Sequence, residues 1–150
     1  MLSRLTCVLI FSITCSVSAS DLPKQVEVLA EQAVAARQKV MQQDATAADV
    51  DAFLIFTTAD LTYEDPVVKM KIEGRDKIRQ GMVHFLGLSR HAHIVITKRI
   101  AVANVVVLDQ DVSFEEKQED NSWKPRSRHQ VTIFEFEGAR IRRIADYWSR

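Results

Sequence analysis

The sequence predicts an α+β fold, on three observations. Apolar residues recur at helical spacing through the first half, four long stretches rich in Val, Ile, Thr and Phe fill the second half, and turn residues rather than linkers separate the segments. Helices come first and an antiparallel meander follows, with no internal repeat or low-complexity tract to suggest more than one domain over residues 20–150.

From Asp21 to Gln43, Val26, Leu29, Ala30, Ala33, Val40 and Met41 recur at intervals of three and four, which describes an amphipathic helix. Pro23 sits in its first turn, where the missing N–H would have had no intrahelical partner. Thr46-Ala-Ala-Asp49 matches a capping box ahead of Val50, Phe53, Leu54 and Phe56, so a second, shorter helix follows. Leu61 to Asp65 alternates as a short strand with Leu61, Tyr63 and Asp65 on one face, and Pro66 ends its regular pairing. Val67 to Glu73 is a further extended piece. Gly74 then opens a third helix in which Ile78, Met82 and Phe85 share a face, and Gly87 ends it. The four closing strands run over His91–Ile100, Val105–Glu116, Arg126–Glu137 and Arg140–Trp148, with Glu137-Gly138 as the tight turn before the last.

The chain has 150 residues, with 20 Lys+Arg against 20 Asp+Glu and a pI near 6.9. That balance provides no basic field for a polyanion, so nucleic acid is not an expected partner. At 47% hydrophobic and 27% charged, with four Gly, three Pro and two Cys, the composition excludes collagen-like, disordered and disulfide-scaffold classes.

Met1-Leu-Ser-Arg4 followed by the apolar stretch Leu5–Val17 reads as a secretory signal peptide, and Val17-Ser-Ala19 places cleavage after Ala19. As a membrane anchor the stretch is too short, since its helix would span only roughly 20 Å against a hydrocarbon core of roughly 30 Å. The expected location is therefore secreted or periplasmic, with no membrane attachment after cleavage. Cys7 and Cys15 both lie in the removed piece, which leaves a mature chain without thiol or disulfide chemistry.

Four pieces together carry a resemblance: Glu64-Asp65-Pro66, Gly74-Arg-Asp-Lys-Ile78, Val112-Ser-Phe-Glu115, and Phe134-Glu-Phe-Glu-Gly138 before Asp146-Tyr-Trp148. In order and spacing the mature chain resembles the nuclear transport factor 2-like superfamily, and within it the SnoaL-like and ketosteroid isomerase-like branch. The resemblance implies a cone-shaped barrel of three N-terminal helices packed on a curved antiparallel β-sheet. It also implies that Asp65, the Asp of the Glu-Asp-Pro motif, is a general base. The two oxyanion donors of such isomerases have no counterpart: no Tyr occurs between Asp21 and Thr62, and Thr132 stands where the second donor would be. Tyr63 is the nearest hydroxyl to Asp65 on its face. The ending Asp146-Tyr-Trp148 also resembles limonene epoxide hydrolases, whose Arg-x-Asp pair is replaced here by Leu108-Asp-Gln-Asp-Val112. Strand parity turns Gln110, Val112 and Phe114 inward and Asp109 and Asp111 outward.

Each candidate has a structural reading beside the functional one. Asp65 serves equally as a turn acceptor before Pro66, and Asp146 as the partner of an arginine such as Arg128 or Arg143. His91 and His93 share a strand face with His129 on a neighbouring strand, yet three or four convergent ligands are needed and no Cys remains, so no metal is expected. His84 falls where it can meet the last carbonyls of the third helix. The run Arg126, Arg128, Arg140, Arg142 and Arg143 is balanced by Glu115, Glu116, Glu119, Glu135 and Glu137, which reads as cross-strand pairing.

The expectation is thus an exported protein whose cavity binds a small apolar molecule and carries out metal-free acid/base chemistry, without cofactor, next to a carbonyl. The candidate catalytic residues are Asp65 and Asp146, and the candidate ligand-binding residues are Tyr63, Met82, Gln110, Val112, Thr132 and Trp148. In this scheme Tyr63 or Thr132 donates to the oxyanion and Asp146 with Gln110 orients the ligand. Asp65 is expected in the cavity with a raised pKa, because apolar walls disfavour its charged form. The alternative is a non-catalytic ligand-binding or protein-assembly module. A homodimer is expected through the outer sheet face carrying Val105 and Val107.

Overall fold

The computed structural model describes residues 22–149, so the leader expected over residues 1–19 lies outside the described residues. Helix α1 spans Leu22–Val40 and α2 Ala47–Leu54, followed by strands β1 (Thr57–Asp65) and β2 (Met70–Glu73) and helix α3 (Arg75–His84). Strands β3 (Ser89–Val102), β4 (Val105–Lys117), β5 (Trp123–Glu137) and β6 (Arg140–Trp148) complete the order. Among the described residues no helix is long and apolar enough to cross a membrane.

The α+β class and the helix-first order match the expectation. The six strands form one curved, unclosed sheet in the order β2-β1-β6-β5-β4-β3. The meander β3 to β6 is antiparallel throughout, as is the β1–β2 hairpin, but β1 lies parallel to β6. Strand alternation carries no information about direction, which is why the sequence reading missed this one parallel pair. Register shifts interrupt β3 at Arg90/His93 and Ile96/Lys98, and β5–β6 at Glu135/Phe136. Such irregularities bend a strand and raise its twist, so they give the sheet its concave face.

Helix α1 buries Val26, Ala30, Ala33, Val34 and Val40; of the expected stripe Leu29 is only partly buried and Met41 lies past the helix end, while Val34 is added. At the start of α2 the Asp49 carboxylate accepts from both the backbone N–H and the hydroxyl of Thr46, each at 2.8 Å, so the Thr46-Ala-Ala-Asp49 signal acts as read. The helices rest on the concave face, where Leu61, Val106, Leu108, Phe134, Ile141 and Ile144 form the sheet side of the core. Each such side chain contributes about 1.5–3 kcal/mol by leaving water.

Boundaries depart from expectation at several places: α1 ends at Val40 rather than Gln43, β1 starts at Thr57 rather than Leu61, β3 runs over Ser89–Val102, and β5 starts at Trp123 rather than Arg126. Strand β2 is shortened because Pro66 to Lys69 make a turn, leaving Val67 and Val68 exposed. Helix α3 ends at His84, so Phe85 falls beyond it, 65% exposed and with its ring edge on His84, rather than sharing the face of Ile78 and Met82. The β5–β6 turn is as expected: Gly138 takes φ +57°, a conformation that costs an L side chain strain regardless of space.

Candidate functional site

Between the helices and the concave face lies a cavity of about 430 Å³, walled by Val40, Met41, Phe53, Ile72, Met82 and Ile144. Arg37, Tyr63, Asp65 and Arg128 bring polar atoms to this otherwise apolar chamber. An apolar hollow with a few convergent polar groups is the usual form of a small-molecule site.

The charged floor is built around Asp146 on β6, which is 1% exposed. Arg37 forks onto it, with Nη1 3.2 Å from Oδ1 and Nη2 2.5 Å from Oδ2. Tyr63 donates its hydroxyl to Oδ2 at 2.8 Å, and Thr132 and Gln130 donate to Oδ1 at 2.7 and 3.0 Å. The partners come from α1, β1 and β5, three elements that only the folded chain brings together. Cross-strand register supplies part of this, since Thr132 lies directly opposite Asp146.

Burial pushes the Asp146 carboxyl up, but the Arg37 charge and the hydrogen bonds from Arg37, Thr132 and Tyr63 outweigh it and hold the group below the usual carboxylate range. Burial likewise works against the Arg37 cation and is overcome by Asp146, so the pair is fully ionised. Tyr63 is pushed up, first by burial, with the Arg37 charge opposing and the Asp146 charge adding to the rise. It remains a protonated donor.

Asp65, at the end of β1, is 8% exposed and lines the cavity. The Trp148 indole N–H donates to its Oδ2 at 2.9 Å, while the backbone N–H groups of Val67 and Val68 donate to Oδ1 at 3.2 and 3.4 Å. The cavity reading and the turn reading of this residue therefore hold together: one oxygen serves the turn, and the other, fixed by Trp148, belongs to the cavity side.

Other sequence candidates fall in different places. Met82 lines the cavity, and Trp148 lines an adjoining recess of about 530 Å³ with Phe114 and Arg128. Gln110, Val112 and Thr132 face inward by strand parity but are buried behind the wall, and are not among the lining residues described. A hydroxyl has one proton, and that of Thr132 goes to the charged acceptor Asp146, which removes Thr132 as an oxyanion donor. The Tyr63 proton is committed in the same way.

Asp109 and Asp111 face outward as expected, where they hold His129 between them: its Nε2 is 2.7 Å from Asp109 and its Nδ1 3.0 Å from Asp111. His129 lies two strands from His91 and His93, not on the neighbouring strand, because β4 intervenes. Among the described residues no three metal-ligating side chains converge. The arginine run is paired in part: Arg126 binds Glu116, and Arg143 binds Glu64 and Glu135. Arg140 instead donates to the carbonyls of Ile55 and Thr57.

The residue the sequence reading missed is Arg37; Arg128 and Arg143, weighed as partners of Asp146, do not pair with it among the described residues. A signal was present. Arg37 lies four residues after Ala33 and three before Val40, so it interrupts the buried stripe of α1 with a charge.

Comparison with known proteins agrees with the fold. Sequence comparison with curated proteins returns no match. Among solved structures, a protein from Shewanella putrefaciens CN-32 assigned as a SnoaL-like polyketide cyclase superimposes with a TM-score of 0.68 at 14% identity, covering 97% of this chain and 92% of its own. A hypothetical protein with a ketosteroid isomerase-like fold from Catenulispora acidiphila DSM 44928, in complex with trimethylamine, gives 0.59 at 21% identity, covering 71% and 78%. An LEH-like epoxide hydrolase from M. tuberculosis gives 0.58 at 19% identity, covering 79% and 84%. At these identities the likeness establishes the fold. The SnoaL-like domain profile matches residues 38–144, most of the chain including Asp65 and the first half of the final strand, and on that match the chain belongs to the SnoaL-like domain family.

Proposed function

We propose that the cavity binds a small, largely apolar molecule and moves a proton next to its carbonyl without metal or cofactor, as an isomerase or cyclase does. The observation that carries this reading is Asp65: a carboxylate on the wall of an apolar cavity whose Oδ2 is aimed by the Trp148 indole. In the proposed step Asp65 takes a proton from the carbon beside the carbonyl, and the electron pair moves onto the carbonyl oxygen. Returning the proton to a different carbon completes an isomerisation; attack of the carbanion on a second carbonyl completes a cyclisation. Since the hydroxyls of Tyr63 and Thr132 donate to Asp146, the developing oxyanion falls to the guanidinium of Arg37, which has five N–H groups, gives two to the fork and one to the Tyr63 oxygen, and keeps two. Asp146 then acts as the group that positions Arg37 and Tyr63.

The test is exchange in D₂O. A β,γ-unsaturated cyclic ketone incubated with the protein should gain deuterium beside its carbonyl, and Asp65→Asn should slow this by at least about 10²-fold, the usual contribution of a general base. A ligand that binds without exchanging would leave the second reading, a non-catalytic binding module. What favours that reading is the number of donors on the carboxylates, three on Asp65 and, counting both arms of the Arg37 fork, five on Asp146.

Two further proposals accompany the function. The protein is exported and loses residues 1–19, so intact mass of the exported material should begin near Ser20 and contain neither Cys7 nor Cys15. It forms a homodimer through the convex sheet face, where Ile100 and Val102 are exposed beside Val105 and Val107. Sedimentation at micromolar concentration should give twice the monomer mass, and a concentration-independent monomer would remove the dimer.

A further inference from the structure

Arg128 differs from every other charged group around the cavity. On β5 it lies opposite Val112 in register and shares the inward parity of Gln130 and Thr132, so its side chain belongs to the concave face. Its guanidinium carbon sits 5.2 Å from the Trp148 ring centroid and 6.0 Å from that of Phe114. The Nε is buried without a hydrogen-bond partner, and among the described residues no carboxylate lies within ion-pair distance. The acids nearby are taken: Asp146 by Arg37, Glu116 by Arg126, and Asp65 by Trp148 and the turn. Burial first, and then repulsion from Arg37, work against the Arg128 charge, with Asp146, Tyr63 and Asp65 offsetting only part of the loss.

A guanidinium beside aromatic faces loses water from its plane but keeps its edge of N–H donors, and that edge matches a carboxylate bidentately. Arg128 lines both the 430 Å³ cavity and the adjoining recess, so it stands at their junction. A dianionic phosphate would need a second free cation, whereas Arg37 and Arg126 are each already paired with an acid. We propose that Arg128 anchors the carboxylate of a monoanionic, amphiphilic acid whose apolar body fills the cavity. This names the ligand class and rests on the reading of the cavity as a small-molecule site. Arg128 is then the specificity-determining residue, selecting acids over neutral molecules of the same shape.

A matched pair tests this on the full mature protein: 4-phenylbutanoate and 4-phenylbutanamide, measured by calorimetry, with the Trp148 indole N–H signal as local reporter. The acid should bind at least about tenfold more tightly than the amide, as expected for a charge-assisted bidentate pair. In Arg128→Gln that preference should fall to within about threefold, while affinity for the amide stays within about twofold. Arg128→Lys, which keeps the charge but loses the fork, should retain only part of the preference, and it decides the matter if the Gln variant does not fold. Equal binding of acid and amide by the unaltered protein, or a preference that survives in both variants, overturns the role of Arg128 while leaving the cavity reading standing. Failure of both compounds to bind overturns the two together. Acid binding without deuterium exchange in any ketone sustains Arg128 and removes only the catalytic reading.

Discussion

The floor of the cavity around Asp146 and its rim around Asp65 use the same side chain in opposite ways. Both carboxylates lie at inward positions on adjacent strands, and both are nearly lost to solvent. On the floor a full positive charge faces Asp146, and the remaining lone pairs are filled by Tyr63, Thr132 and Gln130. On the rim Asp65 meets only neutral N–H donors, from Trp148 and the turn. The difference shows how burial alone leaves a carboxylate's role undecided. A paired acid becomes a fixed structural charge, whereas one held by neutral donors has no counter-charge in contact and is placed by hydrogen bonds alone.

The largest way to break this comparison is to remove the floor. Asp146→Asn leaves Arg37 buried without a counter-charge and should cost about 3–5 kcal/mol in urea unfolding. Arg37→Met should cost a similar amount by stranding Asp146. The double variant Arg37→Met with Asp146→Leu should lose less than the sum of the singles, because no unpaired charge remains. Additive losses would mean that the pair is not acting as a unit.

The rim should respond less. Asp65→Asn can offer its one carbonyl oxygen to Trp148 or to the turn but not to both, and its amide then faces a donor. A loss of about 1–2 kcal/mol in the same unfolding experiment is expected, with a shifted Trp148 indole N–H resonance. A loss equal to that of Asp146→Asn would erase the distinction between floor and rim.

Acid sharpens the contrast further. The folded Asp146 carboxyl lies below its ordinary value near 3.8, so its stabilisation is fully present above that value and is lost as pH falls through the lower, folded one. Urea midpoints between about pH 5 and pH 2 should therefore decline less steeply in Asp146→Asn than in the unaltered protein. The opposite sign applies to the convex face. His129, held by Asp111 and then Asp109, is raised above its ordinary 6.5, so its contribution is present below that value and fades as pH rises through the folded one. Its ring is exposed, and the effect on stability should be the smallest of the series. The measurement is its imidazole titration by NMR, which Asp111→Asn should move toward lower pH.

What could be read from the sequence was whatever depends on near neighbours along it. The alternation Leu61, Tyr63, Asp65 set the inward face of β1, and the same rule turned Gln110 inward and Asp109 and Asp111 outward, because a two-residue period survives in any sheet. The capping box at Thr46 and the turn at Gly138 were equally local. Strand direction was not: β1 lies parallel to β6, and nothing in either segment encodes it.

The sequence by itself determined the class, the order of elements and which residues turn inward, including Asp65 and Tyr63 on the cavity wall. Only tertiary structure decided how those residues are used. It brought Arg37 from α1 to Asp146 across 109 positions of sequence, turned the hydroxyls of Tyr63 and Thr132 toward the same carboxylate, and left Arg128 between aromatic rings with no acid beside it among the described residues. The physical reason is one of range. Facing is set by backbone geometry over a few residues, whereas the partner of a buried charge is chosen by packing among distant elements, and many arginines and acids in this chain would satisfy the same local rules.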